Sequence, residues 1–212
     1  MLRKGRNRIE LKSPAEIEKM RAAGRVVART LDLLREAVRP GISTLELDAL
    51  AEQSIREAGA IPSFKGYHGF PGSICASVNE EVVHGIPRAT KVLADGDIIS
   101  IDCGAILDGW HGDSAITVPV GTVTEEDRTV MEVCEEAMWQ GIAQMRPGNR
   151  LGDIGHAIES YIASRGNFGN VREYGGHGIG TEMHMEPHVL NYTQTGRGMR
   201  LVEGMCLAIE PM

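Results

Sequence analysis

The chain has 212 residues, 42% hydrophobic and 24% charged, which is the make-up of one globular domain or two small subdomains and not of a disordered chain. Its 22 basic and 29 acidic residues give a net charge of −7, against a dedicated nucleic-acid binder. No apolar run approaches the ~18 residues of a membrane span, and no apolar stretch follows the basic start at Arg3, Lys4, Arg6 and Arg8 to make a secretory signal.

Ser13-Pro14-Ala15-Glu16 reads as a capping box with proline at the first helical position. Ile17, Met20, Val27, Leu31, Leu34 and Val38 follow along one face, and Pro40-Gly41 ends the helix. A second capping box, Ser43-Thr44-Leu45-Glu46, opens a helix to about Gly59, a plausible C′ residue. Residues 60–72 are rich in Gly, Pro and aromatics, and strand-like runs fill 73–120: SICASVN, DIISIDCG and DSAITVPV. Thr124 caps a third helix to about Met145, Pro147-Gly148 stops it, and a fourth runs from about Leu151 to Arg165. Strand and loop character returns from Val171. This order predicts an α+β fold. Cys75, Cys103, Cys134 and Cys206 include no C-x-x-C pair and read as core thiols of a cytoplasmic protein.

The chain also repeats itself. A shift of 107 residues lays Pro40-Gly41 on Pro147-Gly148 and Gly59 on Gly166; a shift of 108 lays LADGDIISID (93–102) on LVEGMCLAIE (201–210), with Asp102 on Glu210. We expect one catalytic domain, 1–212, with two similar halves: about 13–120 and about 121–212.

Asp102 ends an apolar strand, where a carboxylate is costly unless paired or metal-bound. Asp108-Gly109 is a turn signal, and a loop near 107–108 would set Asp102 across from Asp113. Facing carboxylates repel unless a cation stands between them; solvated hairpin-end acids are the alternative. His177 lies in Gly175-Gly176-His177-Gly178-Ile179-Gly180, where the glycines would leave the imidazole open to approach and the backbone free to take unusual angles. It is either a structural histidine or a ligand. His184-Met185-Glu186-Pro187-His188 is not a helical zinc motif, because the Glu is misplaced and Pro187 would break the helix. Three carboxylates and one imidazole suit divalent Mn, Fe, Co or Zn, and carboxylates can bridge two ions.

SVNEEVVHGIP (77–87), GDIISIDCGAILDGWHGDSA (96–115), GGHGIG (175–180) and AIEP (208–211), in this order, resemble the type I methionine aminopeptidases, metallopeptidases of family M24 with the pita-bread fold. The resemblance implies two α+β halves about a pseudo-twofold axis. It implies metal ligation by Asp102, Asp113, His177 and Glu210, with up to two Co, Mn, Fe or Zn ions. Glu210 would also shuttle a proton, and His84 and His184 would be catalytic groups that bind substrate. Tyr67, Phe70, Cys75 and Met183 would form the methionine pocket. The implied reaction is metal-assisted hydrolysis that removes the initiator methionine of nascent chains when the second residue is small. The implied protein is a cytoplasmic monomer with no membrane partner and no specific nucleic acid. Its basic start either touches the ribosome or is a solvated tail.

Departures from the family pattern are Met185, where many relatives carry Glu, and Phe64 and Met183 in the pocket. The family continues past the Glu-Pro strand into a hairpin carrying a fifth ligand, a bridging Glu, and a pocket Trp, whereas this sequence ends at Pro211-Met212. A fragment or a shortened, incomplete member is therefore expected, with a frayed strand at Glu210. The alternative functions are a non-catalytic module of the same fold or an inactive fragment of the enzyme.

Overall fold

The computed structural model describes residues 9–212; the basic positions Arg3, Lys4, Arg6 and Arg8 lie outside them. The described residues form two compact units. One is Glu18–Thr129; the other is Val130–Met212 together with the described N-terminal residues through Ile17. Among them no helix is long and apolar enough to cross a membrane.

Helices form where the caps predict them. Helix α1 spans Pro14–Ala37, and the Ser13 N–H donates to the Glu16 carboxylate at 2.8 Å. Helix α2 spans Thr44–Glu57 with the reciprocal Ser43–Glu46 box complete, and Gly59 takes φ +75° beyond it. Strands β1 (Ile61–Pro62), β2 (Ile74–Val78), β3 (Ile98–Leu107) and β4 (Trp110–Pro119) make one antiparallel sheet. Strand β1 was not expected, since it is two residues long and holds a proline. Alternation along β3 buries Ile99, Ile101, Cys103 and Ala105 in the core with Leu31, Leu34, Leu47 and Ile55. With a period of two, Asp102 turns to the opposite face.

The hairpin corrects one expectation. Asp108 (φ +50°) and Gly109 (φ +80°) make the two-residue turn with both φ positive that matches strand twist. Leu107 therefore pairs with Trp110, Asp102 with Ala115, and Asp113 with Gly104. The two acids are not directly opposed. They are diagonal neighbours, two positions out of register, so they still share a face.

In the other unit, α3 (Glu125–Ile142), from Val130 onward, and α4 (Leu151–Arg165) precede strands β5 (Gly176–Gly178) and β6 (Met185–Val189), which pair antiparallel. Ile154, Ile158, Ile162, Val133, Val189 and Leu201 fill this core. Met185–Val189 is a strand, as rejection of the helical zinc motif requires. Residues 206–208 run along β5: the Ala208 N–H donates to the His177 carbonyl at 2.8 Å and the Ile179 N–H to the Cys206 carbonyl at 3.2 Å. Beyond them the Asn191 amide holds the Glu210 carbonyl at 2.7 Å, and the Val171 N–H holds that of Met212 at 2.9 Å. The segment is anchored, against the expected fraying.

The sequence repeat reappears in the backbone of each unit. Ser43 bridges Val92 as Arg150 bridges Arg200. Leu93 N–H donates to Ile42 O and Leu201 N–H to Asn149 O, both at 2.8 Å. Gly96 and Gly204 take φ +95° and +88°, and Gly41 and Gly148 take +88° and +96°.

Candidate active site

In the unit 18–129, strand register builds the acidic face. Cys75 on β2 lies directly opposite Asp102 on β3, and Asp113 follows on β4. Asp102 and Asp113 are half-buried, whereas Cys75 and Cys103 are buried. Burial, and then the charges of Asp102 and Asp113, push both thiols up, which keeps Cys75 in its neutral, unreactive form. Gly104 stands opposite Asp113, and a Cβ there would come within 2.8 Å of the Phe64 ring. His111, two residues before Asp113 on the same face of β4, is buried with Nδ1 3.1 Å from Ser63 Oγ.

The segment carrying His84 seals the free edge of β2. The Ala76 N–H donates to the Gly85 carbonyl at 2.8 Å, the Gly85 N–H donates to Ser77 Oγ at 3.1 Å, and a Cβ on Gly85 would sit 2.3 Å from the Ala76 oxygen. His84 itself is exposed and holds φ +57°, an uncommon conformation for a non-glycine residue, of the sort found at functional positions. At the start of β2 the buried Asp48 of α2 accepts the N–H groups of Ser73 (2.6 Å) and Ile74 (3.0 Å). Burial raises its pKa against these two bonds. Tyr67 lies in a 3-10 turn, exposed, its ring edge-on to His68 at 4.3 Å, and Phe70 closes that turn half-buried.

In the other unit, His177 is buried. Its Nδ1 lies 2.9 Å from the Gly178 carbonyl oxygen, an acceptor only, so Nδ1 carries a hydrogen and donates it. Nε2 then faces Glu210 Oε1 at 3.2 Å. That oxygen is buried and lacks hydrogen-bonding geometry to any partner among the described residues. A neutral ring would set two lone pairs against each other, so the pair calls for a cation or a second ring proton. Two donors on one ion, each at about 2.1 Å, stand roughly 3.0–3.4 Å apart, and a ligand histidine commonly gives its other N–H to a carbonyl. The pair fits a metal. Among the described residues no three of His, Cys, Asp or Glu stand close enough to enclose an ion, so the fit rests on this one pair.

The glycines around His177 answer to a different cause from the expected one. None of Gly175, Gly176 and Gly178 has positive φ. A Cβ on Gly176 would lie 2.0 Å from the Ala208 oxygen, and one on Gly178 2.3 Å from the Glu186 oxygen; they admit neighbouring backbone, not a freer conformation. The His184 ring lies edge-on to His177 at 4.4 Å, and Met183 before it is buried.

Asp48, His111 and Asn191 escaped notice in the sequence. Asp48 carried a signal: it sits at a core position of α2, four residues after Thr44 and next to Leu47 in the apolar stripe. His111 carried another, its alternation with Asp113 on β4.

Residues 18–212 match the metallopeptidase family M24. The methionine aminopeptidase of Clostridium acetobutylicum is 54% identical over 96% of this chain and 81% of its own length. Methionine aminopeptidase 1 of Bacillus subtilis is 54% identical over 95% and 80%. The crystal structure of methionine aminopeptidase from Rickettsia prowazekii superposes with a TM-score of 0.93 at 45% identity, covering 96% of this chain and 82% of that one. The α+β fold is thus the pita-bread fold expected from the sequence. The chain belongs to the metallopeptidase family M24, among its methionine aminopeptidases.

Proposed function

We propose that this chain removes the N-terminal methionine from nascent polypeptides whose second residue is small, with Asp102, Asp113, His177 and Glu210 as ligands of divalent metal ions. The observation that carries the reading is the buried Glu210 oxygen facing His177 Nε2 at 3.2 Å, in a chain whose relatives are methionine aminopeptidases. When bound, an ion of the Mn, Fe, Co or Zn type, up to two per chain, supplies a Lewis acid and an acidified water.

The protein's own groups do the rest. Gly178 fixes the His177 ring through Nδ1. Glu210 takes the proton of the attacking water and passes it to the leaving amine. His84 and His184 hold the scissile carbonyl and steady the charge that builds on it. Tyr67, Phe70, Cys75 and Met183 receive the methionine side chain, whose burial contributes roughly 1.5–3 kcal/mol. The free thiols support a reducing cytoplasm as the place of action, and the chain acts as a monomer.

Peptide specificity tests the reading. With excess divalent metal, free methionine should be released from a Met-Ala peptide at least 10-fold faster than from Met-Leu, and Xaa-Pro peptides should stay intact. Equal rates across the set, or preferential cleavage at Xaa-Pro, would point to another peptidase; no cleavage of any peptide would point to a binding module.

A further inference from the structure

Asn191 is completely buried and follows β6. Its side-chain Nδ2 donates to the backbone carbonyl of Glu210 at 2.7 Å. Its Oδ1 is buried with no hydrogen-bond partner among the described residues. Asn170 repeats the arrangement one step further out: its Nδ2 donates to the Asn191 carbonyl at 2.8 Å, and its own Oδ1 is likewise buried without a partner. Two amides in series thus make their donor bonds and leave their acceptors unmatched. An apolar side chain of the same size would avoid that cost. What the amide adds over an apolar residue is the bond to Glu210.

That bond acts where the strand ladder fails. Residues 206–208 are tied to β5 by the Ala208 and Cys206 bonds, but Pro211 has no N–H to continue the pattern. From Glu210 onward three successive carbonyls are held from elsewhere: Glu210 by Asn191, Pro211 by the Cys134 thiol at 3.1 Å, and Met212 by the Val171 N–H at 2.9 Å. The Glu210 carbonyl carbon is bonded directly to the Cα that bears the side chain. A shift of the backbone at that carbonyl would carry Cα with it and move Oε1 from its place 3.2 Å from His177 Nε2.

We infer that Asn191 is a positioning residue for metal binding: through its amide bond to the Glu210 carbonyl it sets the spacing of the Glu210–His177 donor pair. This rests on the proposed role of Glu210 as a ligand. Other donors to the same segment fix its ends, whereas Asn191 fixes the ligand residue itself.

The test is calorimetric titration of manganese(II) into metal-free protein, with thermal unfolding of the same metal-free samples. Asn191→Leu removes the donor and the unmatched acceptor together at similar size; Asn191→Ala removes both by truncation. Both should unfold within a few degrees of the parent, yet bind manganese roughly 10–100-fold more weakly, the usual cost of losing a group that orients a ligand. Unchanged affinity in either folded variant overturns the inference, and so does global unfolding of both, which would make Asn191 structural. Glu210→Gln runs alongside. If it too leaves affinity unchanged, Glu210 is not a ligand and the inference falls with that assignment; if Glu210→Gln weakens binding and the Asn191 variants do not, the link from Asn191 alone is wrong.

Discussion

At His177 the two ring nitrogens have separate duties: Nδ1 is committed to the Gly178 carbonyl, and Nε2 faces Glu210. His184 stacks edge-on against that ring, and exposed His84 is held in left-handed backbone beside β2. Both are proposed to act on the substrate and not on the metal, which separates their mutants from ligand mutants. His84→Ala and His184→Ala should each lower kcat by about 10²–10⁴-fold, the usual worth of a positioned acid–base or charge-stabilising group. Metal content, measured by atomic emission, should stay near that of the parent; loss of metal in either variant would reassign that histidine. The residue types and motif spacing were legible in the sequence. The reason for the glycines was not: it depends on the Ala208 backbone lying against Gly176 and the Glu186 backbone against Gly178, contacts between chain segments that no local pattern announces.

Elements were legible wherever chain chemistry is local. The Ser43–Glu46 box puts α2 within two residues of its expected ends, α4 spans Leu151–Arg165 as expected, and α3, expected to about Met145 before the Pro147-Gly148 stop, ends at Ile142. Register was less so. Placing the turn one residue early sets Asp102 opposite Asp113, while the actual turn at 108–109 moves each acid's direct partner to Ala115 or Gly104; only the shared face survives. Helix α4 also carries a pH dependence. Hydrogen bonds from the Arg197 side chain, and then from the Arg150 N–H, lower the Asp153 pKa from 3.8 to about 2. A carboxylate depressed by folding adds stability above its unfolded pKa and loses it as pH falls through its folded one. Asp153→Asn should therefore be less stable than the parent at pH 7, by the modest amount an exposed ion pair and cap contribute. The difference in Tm should shrink between about pH 4 and pH 2. A gap that persists at pH 2 would mean the cap does not depend on charge.

For the whole molecule, the repeat near 107 residues indicated two similar halves, and the resemblance carried by four ordered motifs implied the fold and the reaction; family M24 and its methionine aminopeptidases agree. Asn191 stayed hidden because it works through a backbone carbonyl, and no residue type at position 210 would reveal that. The account stands or falls on metal-dependent release of methionine through the named carboxylates. The direct measurement is free methionine liberated from a Met-Ala peptide by chelator-treated protein as manganese, iron, cobalt or zinc is added, for the parent and for Asp102→Asn. The account predicts no release without metal, release by the parent once metal is restored, and none from Asp102→Asn at the same concentrations. Full activity in the chelated protein, or parent-like release by Asp102→Asn, would contradict it.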